Sequence, residues 1–230
     1  MVWREEDHPR DEGGRFTDGG KYYPTNSLEP YKRSNKQNET SKSHTVFTDK
    51  KSVETFFKDK SASHSQWDSN LTSYQRYVIN DYTIDGYSTI NSYLRNYDNG
   101  KRYDEKSVIK QIKALDDAIA TYYLKSPIIV YRSISSEAFW QYLDNFEELI
   151  GVEYSDKAFM STSPSLDSEA LNKDLLMAIR LPAGYGIGAY INDYNGAEEI
   201  EFLLARNSKF IITSAKREGK KYFLEMELIK

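Results

Sequence analysis

The stretch GAEEIEFLL, residues 196–204, decides how the chain is read. It begins like a loop and ends like a buried strand, yet it carries Glu198, Glu199 and Glu201. Strands disfavour glutamate, and a segment entering a core should not bury charge on the way. With a side-chain period of two, Glu199 and Glu201 face the same direction. Two carboxylates lining a wet cleft, just before the strand enters the core at Phe202, avoid the burial penalty. They suit a developing cation and a proton.

Outward from this stretch the texture is that of short strands. PIIVYR (127–132) is β-branched and aromatic. KAFMSTS, LLMAIRLP, GIGAYI, EIEFLLA and KFIITSAKR follow, and KYFLEMELI closes the chain after the turn EGKK. Upstream the period changes to 3.6. KSVETFFKDK, LTSYQRYVINDYT (with Asn70 or Thr72 as N-cap) and GYSTINSYLRN are expected as separate helices. Val108, Ile112, Leu115 and Ile119 give DEKSVIKQIKALDDAIATYYL one apolar face. SSEAFWQYLDNF is expected as a helix starting at Ser135 or Ser136. Helices first and strands afterwards predict an α+β domain: N-terminal helices packed on a mixed two-sheet β core.

Composition narrows the chemistry. The 230 residues carry a net charge of -4, with no basic excess to make nucleic acid the main partner. There are no cysteines, which removes disulfides, thiol nucleophiles and thiolate metal sites. His8, His44 and His64 lack the partner spacing of a zinc site or a catalytic triad, so no metal is expected. No P-loop appears and no GxGxxG follows a strand. Neither a signal-peptide core nor a membrane-length apolar run is present, so a soluble protein is expected, cytoplasmic or carried with a virion, acting as a monomer without a membrane partner. Residues 1–50 are polar and without period, and are expected as a flexible arm preceding a catalytic domain at 51–230.

Three features fall on three of these strands, in chain order. Arg132 ends IIVYR; Ser161, Thr162 and Ser163 end FMSTS; Glu199 and Glu201 begin EIEFLLA. Each alone has an ordinary explanation. A strand-end arginine is usually solvated or salt-bridged, Ser-Thr-Ser is common, and a glutamate pair is often a solvated edge. If the strand ends converge, one cleft holds a guanidinium suited to phosphate, hydroxyls and two carboxylates.

This order of motifs resembles the R-S-E class of mono-ADP-ribosyltransferases, which includes binary-toxin enzymatic components, Rho-modifying exoenzymes and phage transferases. EIEFLLARNSKFII and LTSYQRYVINDYTIDGYSTINSYLR extend the similarity over roughly residues 66–230. HPRDEGGRFT, residues 8–17, resembles a short motif of tailed-phage head proteins. The resemblance implies NAD as co-substrate and a target protein with a reactive arginine as partner. It implies that Arg132 binds the NAD phosphates and that Ser161 steadies Glu201. Glu201 would stabilise the oxocarbenium-like transition state, and Glu199 would take the acceptor's proton. Thr162, Ser163, Tyr82, Tyr87 and Asn91 would complete the dinucleotide site. The loop 164–174 lacks the family's aromatic and arginine, leaving Lys173 as their substitute. Tyr194, in the loop before the glutamates, would contact the target protein. Two other readings stand beside this one: an NAD glycohydrolase of the same fold, and a non-enzymatic phage head-associated binding module.

Overall fold

The computed structural model describes residues 3–4, 43–58, 63–95, 104–191 and 200–229. The described helices are α1 (Lys50–Lys58), α2 (Ser63–Asn70), α3 (Ser73–Asp81), α4 (Tyr87–Leu94) and α5 (Glu105–Ala120). Thr72 caps α3: its hydroxyl accepts from the Gln75 amide at 3.2 Å while the Gln75 side chain accepts from the Thr72 amide at 2.9 Å. This reciprocal pair satisfies two donors that a helix start leaves open. On α5 the apolar positions Val108, Ile112, Leu115 and Ile119 are all buried, as their spacing predicts. The final Tyr123–Leu124 of the expected helical stretch forms strand β2 instead.

Two helical expectations change. α3 and α4 are one helical run, joined through a π-turn at Tyr82–Gly86. The glycine that suggests a break in the sequence lies inside the run. SSEAFWQYLDNF is not an α-helix: it forms a 3₁₀ stretch at Ser136–Tyr142, kinked at Phe139, before a second at Phe146–Leu149. α2 carries one large apolar residue, Trp67, whose indole N–H donates to the Ala118 carbonyl at 2.7 Å. That single anchor leaves no periodic signal in the sequence.

The strands are β1 (Trp3–Arg4), β2, β3 (Ile128–Ile134), β4 (Glu153–Ser155), β5 (Met160–Thr162), β6 (Leu175–Leu181), β7 (Gly184–Tyr185), β8 (Gly188–Tyr190), β9 (Phe202–Leu204), β10 (Lys209–Glu218) and β11 (Lys221–Leu228). One sheet runs β1-β4-β10-β11-β6-β3 and a second runs β5-β9-β8, with β2 and β7 as a separate pair. The large sheet is mixed: β11 is antiparallel to β10 but parallel to β6. Along β6, burial alternates strictly, with Leu175, Met177, Ile179 and Leu181 inward, the mark of one packed face. The fold is the expected α+β arrangement of helices preceding a mixed two-sheet core.

One backbone contact joins the two sheets, and a ring contact covers the small one. Tyr131 of β3 exchanges both backbone hydrogen bonds with Ser163 at 2.7 Å each. Phe57 of α1 stacks on Tyr190 of β8 at 4.3 Å between ring centroids, so α1 covers the small sheet. The segment before α1 also pairs with the strands: Thr45 bridges Ile128 and Phe47 bridges Ser165. Ordered pairing therefore starts ahead of residue 51. β9 is the middle strand of the small sheet and all three of its residues are buried. Gly188 makes its close fit with β8 possible, since a Cβ there would lie 2.5 Å from the Leu203 carbonyl oxygen.

Candidate active site

Arg132 lies on β3, the edge of the large sheet that meets the small one. It is half-buried, and its Nη1 donates to the Ser161 carbonyl at 2.9 Å. Ser161 is the middle residue of β5 and pairs with Leu203 of β9. The Tyr131–Ser163 exchange and the Arg132–Ser161 bond thus fasten the two strand ends side by side. The sequence places these residues 29 apart, and the sheet contact brings them together.

Glu201 immediately precedes β9. Its neighbours Ile200 and Phe202 are buried at 4% and 0% exposure, while Glu201 itself is half-buried. Its carbonyl accepts from the Ile191 amide at 3.0 Å, continuing the β8–β9 pairing past the strand end. The carboxylate is therefore held on a backbone that is bonded on the β8 side and anchored by core residues before and after it.

A polar cluster connects Glu201 with the helices. The phenol of Tyr82, in the π-turn, is buried and accepts from the Asn91 side chain at 3.0 Å; it lies near Ser161 and feels the charge of Glu201. Burial first, then the Glu201 charge, push its pKa far above the ordinary tyrosine range; the hydrogen bonds and the Arg95 charge offset this in part. The phenol is therefore a neutral donor at any physiological pH. Asn91 of α4 donates to the Tyr82 oxygen at 3.0 Å and to the Phe159 carbonyl at 3.3 Å. Its own side-chain oxygen is buried and accepts no hydrogen bond among the described residues. Tyr87 meets Tyr82 edge-on at 6.4 Å and is 48% exposed, so its ring edges the cluster toward solvent.

Arg95 and Asp156 belong to this cluster, and sequence reasoning assigned neither. Arg95 follows α4 and grips Asp156 with two bonds, Nε to Oδ1 at 3.0 Å and Nη2 to Oδ2 at 2.6 Å. Their side chains are 10% and 1% exposed. Asp156 also accepts from the Ala158 amide at 2.9 Å, shaping the turn that leads to Phe159 and β5. The pair ties the end of the helical run to the start of the Ser-Thr-Ser strand. Arg95 was visible only as the last residue of a helical pattern; nothing local in YSDKAF marks Asp156.

The remaining expected residues are placed differently. The Thr162 hydroxyl donates to the Phe202 carbonyl at 2.6 Å, clamping β5 to β9. The Ser163 hydroxyl donates to the Ser165 carbonyl at 2.9 Å and accepts from the Ser165 amide. Both are buried, so these two hydroxyls hold the strand end and its following turn rather than facing a ligand. Lys173 is exposed; its amide donates to the Ser133 hydroxyl at 2.7 Å, placing it beside the end of β3 just past Arg132. Glu199 and Tyr194 lie outside the described residues.

Residues 59–229 match the family model described as ADP-ribosyltransferase exoenzyme. The chain belongs to the ADP-ribosyltransferase exoenzyme family. A curated relative, the NAD(+)–arginine ADP-ribosyltransferase EFV of Enterococcus faecalis, is 31% identical over 151 residues, covering 64% of this chain and 30% of that protein. The match thus spans about a third of that relative's length. Among solved structures, Plx2a, an ADP-ribosyltransferase toxin from Paenibacillus larvae, superposes with a TM-score of 0.66 at 23% identity, covering 80% of this chain and 98% of that one. C3stau2 from S. aureus, solved with NAD, gives 0.66 at 18% identity, covering 81% and 99%. These likenesses establish the ADP-ribosyltransferase fold.

In the exoenzyme fold seen here, a guanidinium, a hydroxyl, a neutral phenol and a carboxylate converge where the two sheets meet. The guanidinium suits an anionic ligand and the carboxylate a developing positive charge.

Proposed function

We propose that the protein is a mono-ADP-ribosyltransferase that moves ADP-ribose from NAD to an arginine of a target protein, releasing nicotinamide. The observation that carries this reading is the meeting of Glu201, Ser161 and Tyr82 beside Arg132. Family membership supports the NAD chemistry, and the arginine-modifying relative supports the acceptor.

In this mechanism Arg132 holds the NAD diphosphate, and Lys173 adds a second positive charge past the same strand end. The bond between nicotinamide and the ribose anomeric carbon breaks, with its electron pair passing to the ring nitrogen. Nicotinamide leaves neutral, so the sugar carries the positive charge. Glu201 lies beside that carbon, bonded to the neighbouring ribose hydroxyl, and stabilises the cation. Ser161 and Tyr82 hold the carboxylate in place, and Tyr87 and Asn91 line the dinucleotide side. A guanidinium nitrogen of the target forms the new bond. Guanidinium has a pKa above about 12 and becomes nucleophilic only as its proton departs; Glu199 takes that proton. Tyr194, five residues before Glu199, would meet the target protein. The polar arm would serve as a tether or packaging segment, and the HPRDEGGRFT motif within it favours a phage or prophage setting.

The test uses labelled NAD with agmatine as a minimal arginine acceptor. The expected result is labelled adduct from the native protein and loss of adduct, with residual nicotinamide release, from Glu199→Gln. Nicotinamide release without adduct at any acceptor concentration would make the protein a glycohydrolase or assign it another acceptor.

A further inference from the structure

The helical run 73–94 contains one feature that the proposed chemistry does not yet use: a glycine with ordinary helical backbone angles in its interior. Gly86 has φ -57° and ψ -27°, which any residue adopts, so its conformation does not call for glycine. In a helix interior glycine is less favourable than alanine. The space around it supplies a reason. A Cβ at Gly86 would lie 2.6 Å from the Asp81 Oδ2 and 3.0 Å from both the Asp81 carbonyl carbon and oxygen. The carboxylate could swing aside; the backbone could not. Asp81 is also tethered, accepting from the Gln111 side chain of α5 at 3.2 Å.

This contact exists because the chain makes a π-turn there. The Tyr87 amide donates to the Tyr82 carbonyl five residues back. In an unbroken α-helix, residues five apart lie about 140° apart around the axis. The wider turn stacks them instead, which puts Tyr82 and Tyr87 on one side with rings 6.4 Å apart. Asn91, four residues on in regular α-helix, shares that side and bonds the Tyr82 oxygen. π-turns inside helices often occur at functional sites.

We propose that Gly86 is a positioning residue for the dinucleotide: its missing Cβ lets the π-turn close on Asp81, and the closed turn aligns Tyr82, Tyr87 and Asn91 against Ser161 and Glu201. The proposal rests on the reading of this cleft as an NAD site. A side chain at position 86 pries the turn open and rotates Tyr87 and Asn91 away from Tyr82, while the outward-facing part of the turn, such as the 67% exposed Ile84, is indifferent to substitution.

The experiment measures nicotinamide release against NAD concentration, with thermal melting, for the native protein, Gly86→Ala and Ile84→Ala. The expected result is a KM for NAD raised about tenfold or more in Gly86→Ala, with kcat changed less than KM, and native-like kinetics in Ile84→Ala. An unchanged KM with a raised melting temperature would mean the glycine is merely a weak helix former, and would overturn the proposal. If Gly86→Ala does not fold, Asp81→Ala/Gly86→Ala is compared with Asp81→Ala, because removing the carboxylate leaves only the backbone contact. Weaker NAD binding in the double variant supports the proposal, and equal binding overturns it. A native protein that does not turn over NAD would instead overturn the function on which the proposal rests.

Discussion

Tyr82 is the residue through which most of the cluster communicates, since its phenol reaches Ser161, Asn91 and the field of Glu201. Tyr82→Phe keeps the ring in its buried slot but removes the oxygen that Asn91 bonds beside Ser161 and Glu201. The expected outcome is a nicotinamide-release rate about tenfold lower, the size of one lost hydrogen bond to a group near a charge, with melting shifted far less than by a truncation to alanine. Steady-state kinetics and a melt on the same preparation check it. That Arg132, Ser161 and Glu201 come together was legible in the sequence because strand periodicity and motif order fall on those residues. The structural tasks of Thr162 and Ser163 were not, because whether a hydroxyl faces a ligand or a carbonyl depends on which strand lies opposite. Phe202 lies opposite Thr162, and nothing within FMSTS specifies that.

Elements carry the geometry that these residues need. The Thr72–Gln75 pair starts α3 well away from the polar cluster, so Thr72→Ala should cost about 1 kcal/mol of stability with kcat for nicotinamide release unchanged; chemical denaturation beside an activity assay checks both. Asp156→Ala removes the two-bonded, nearly buried partner of the Arg95 guanidinium and should cost about 3 kcal/mol. It should also slow catalysis, since Asp156 shapes the turn into β5. Gly188→Ala should separate β8 from β9 and disturb the Ile191–Glu201 bond, lowering both stability and NAD turnover. The long periodic elements, α5 and β6, were readable because one buried face repeats along them. α2, β4 and the π-turn were not. α2 and β4 are short, and their burial comes from partners distant in the chain: Ala118 for Trp67, and the strand β10 for β4.

The whole molecule responds to pH through tyrosines as well as through its site. Burial raises the pKa of Tyr82 and of Tyr122, the latter held near Tyr190. Both therefore stay protonated in the folded protein when the same groups in the unfolded chain begin to ionise near pH 10. Their contribution to stability is complete below that pH and is lost as the pH rises beyond it toward the raised folded values. Stability measured by denaturant titration should fall above about pH 10, and fall less steeply in Tyr82→Phe. The domain-wide arrangement, helices before a mixed pair of sheets, was legible because element order alone constrains layer packing. The pairing of Thr45 and Phe47 was not, because residues 45–47 sit in a polar context and their bridge partners, Ile128 and Ser165, lie more than eighty residues away.

Central to the proposed function is that the site where the two sheets meet cleaves NAD through Glu201. The direct measurement is nicotinamide release by the purified native protein and by Glu201→Gln, with melting curves for both. The expected result is release by the native protein, a loss of about a hundredfold or more in the variant, and closely similar melting. Release that survives in a well-folded Glu201→Gln would contradict the assignment of Glu201, and a native protein that releases no nicotinamide would contradict the function itself.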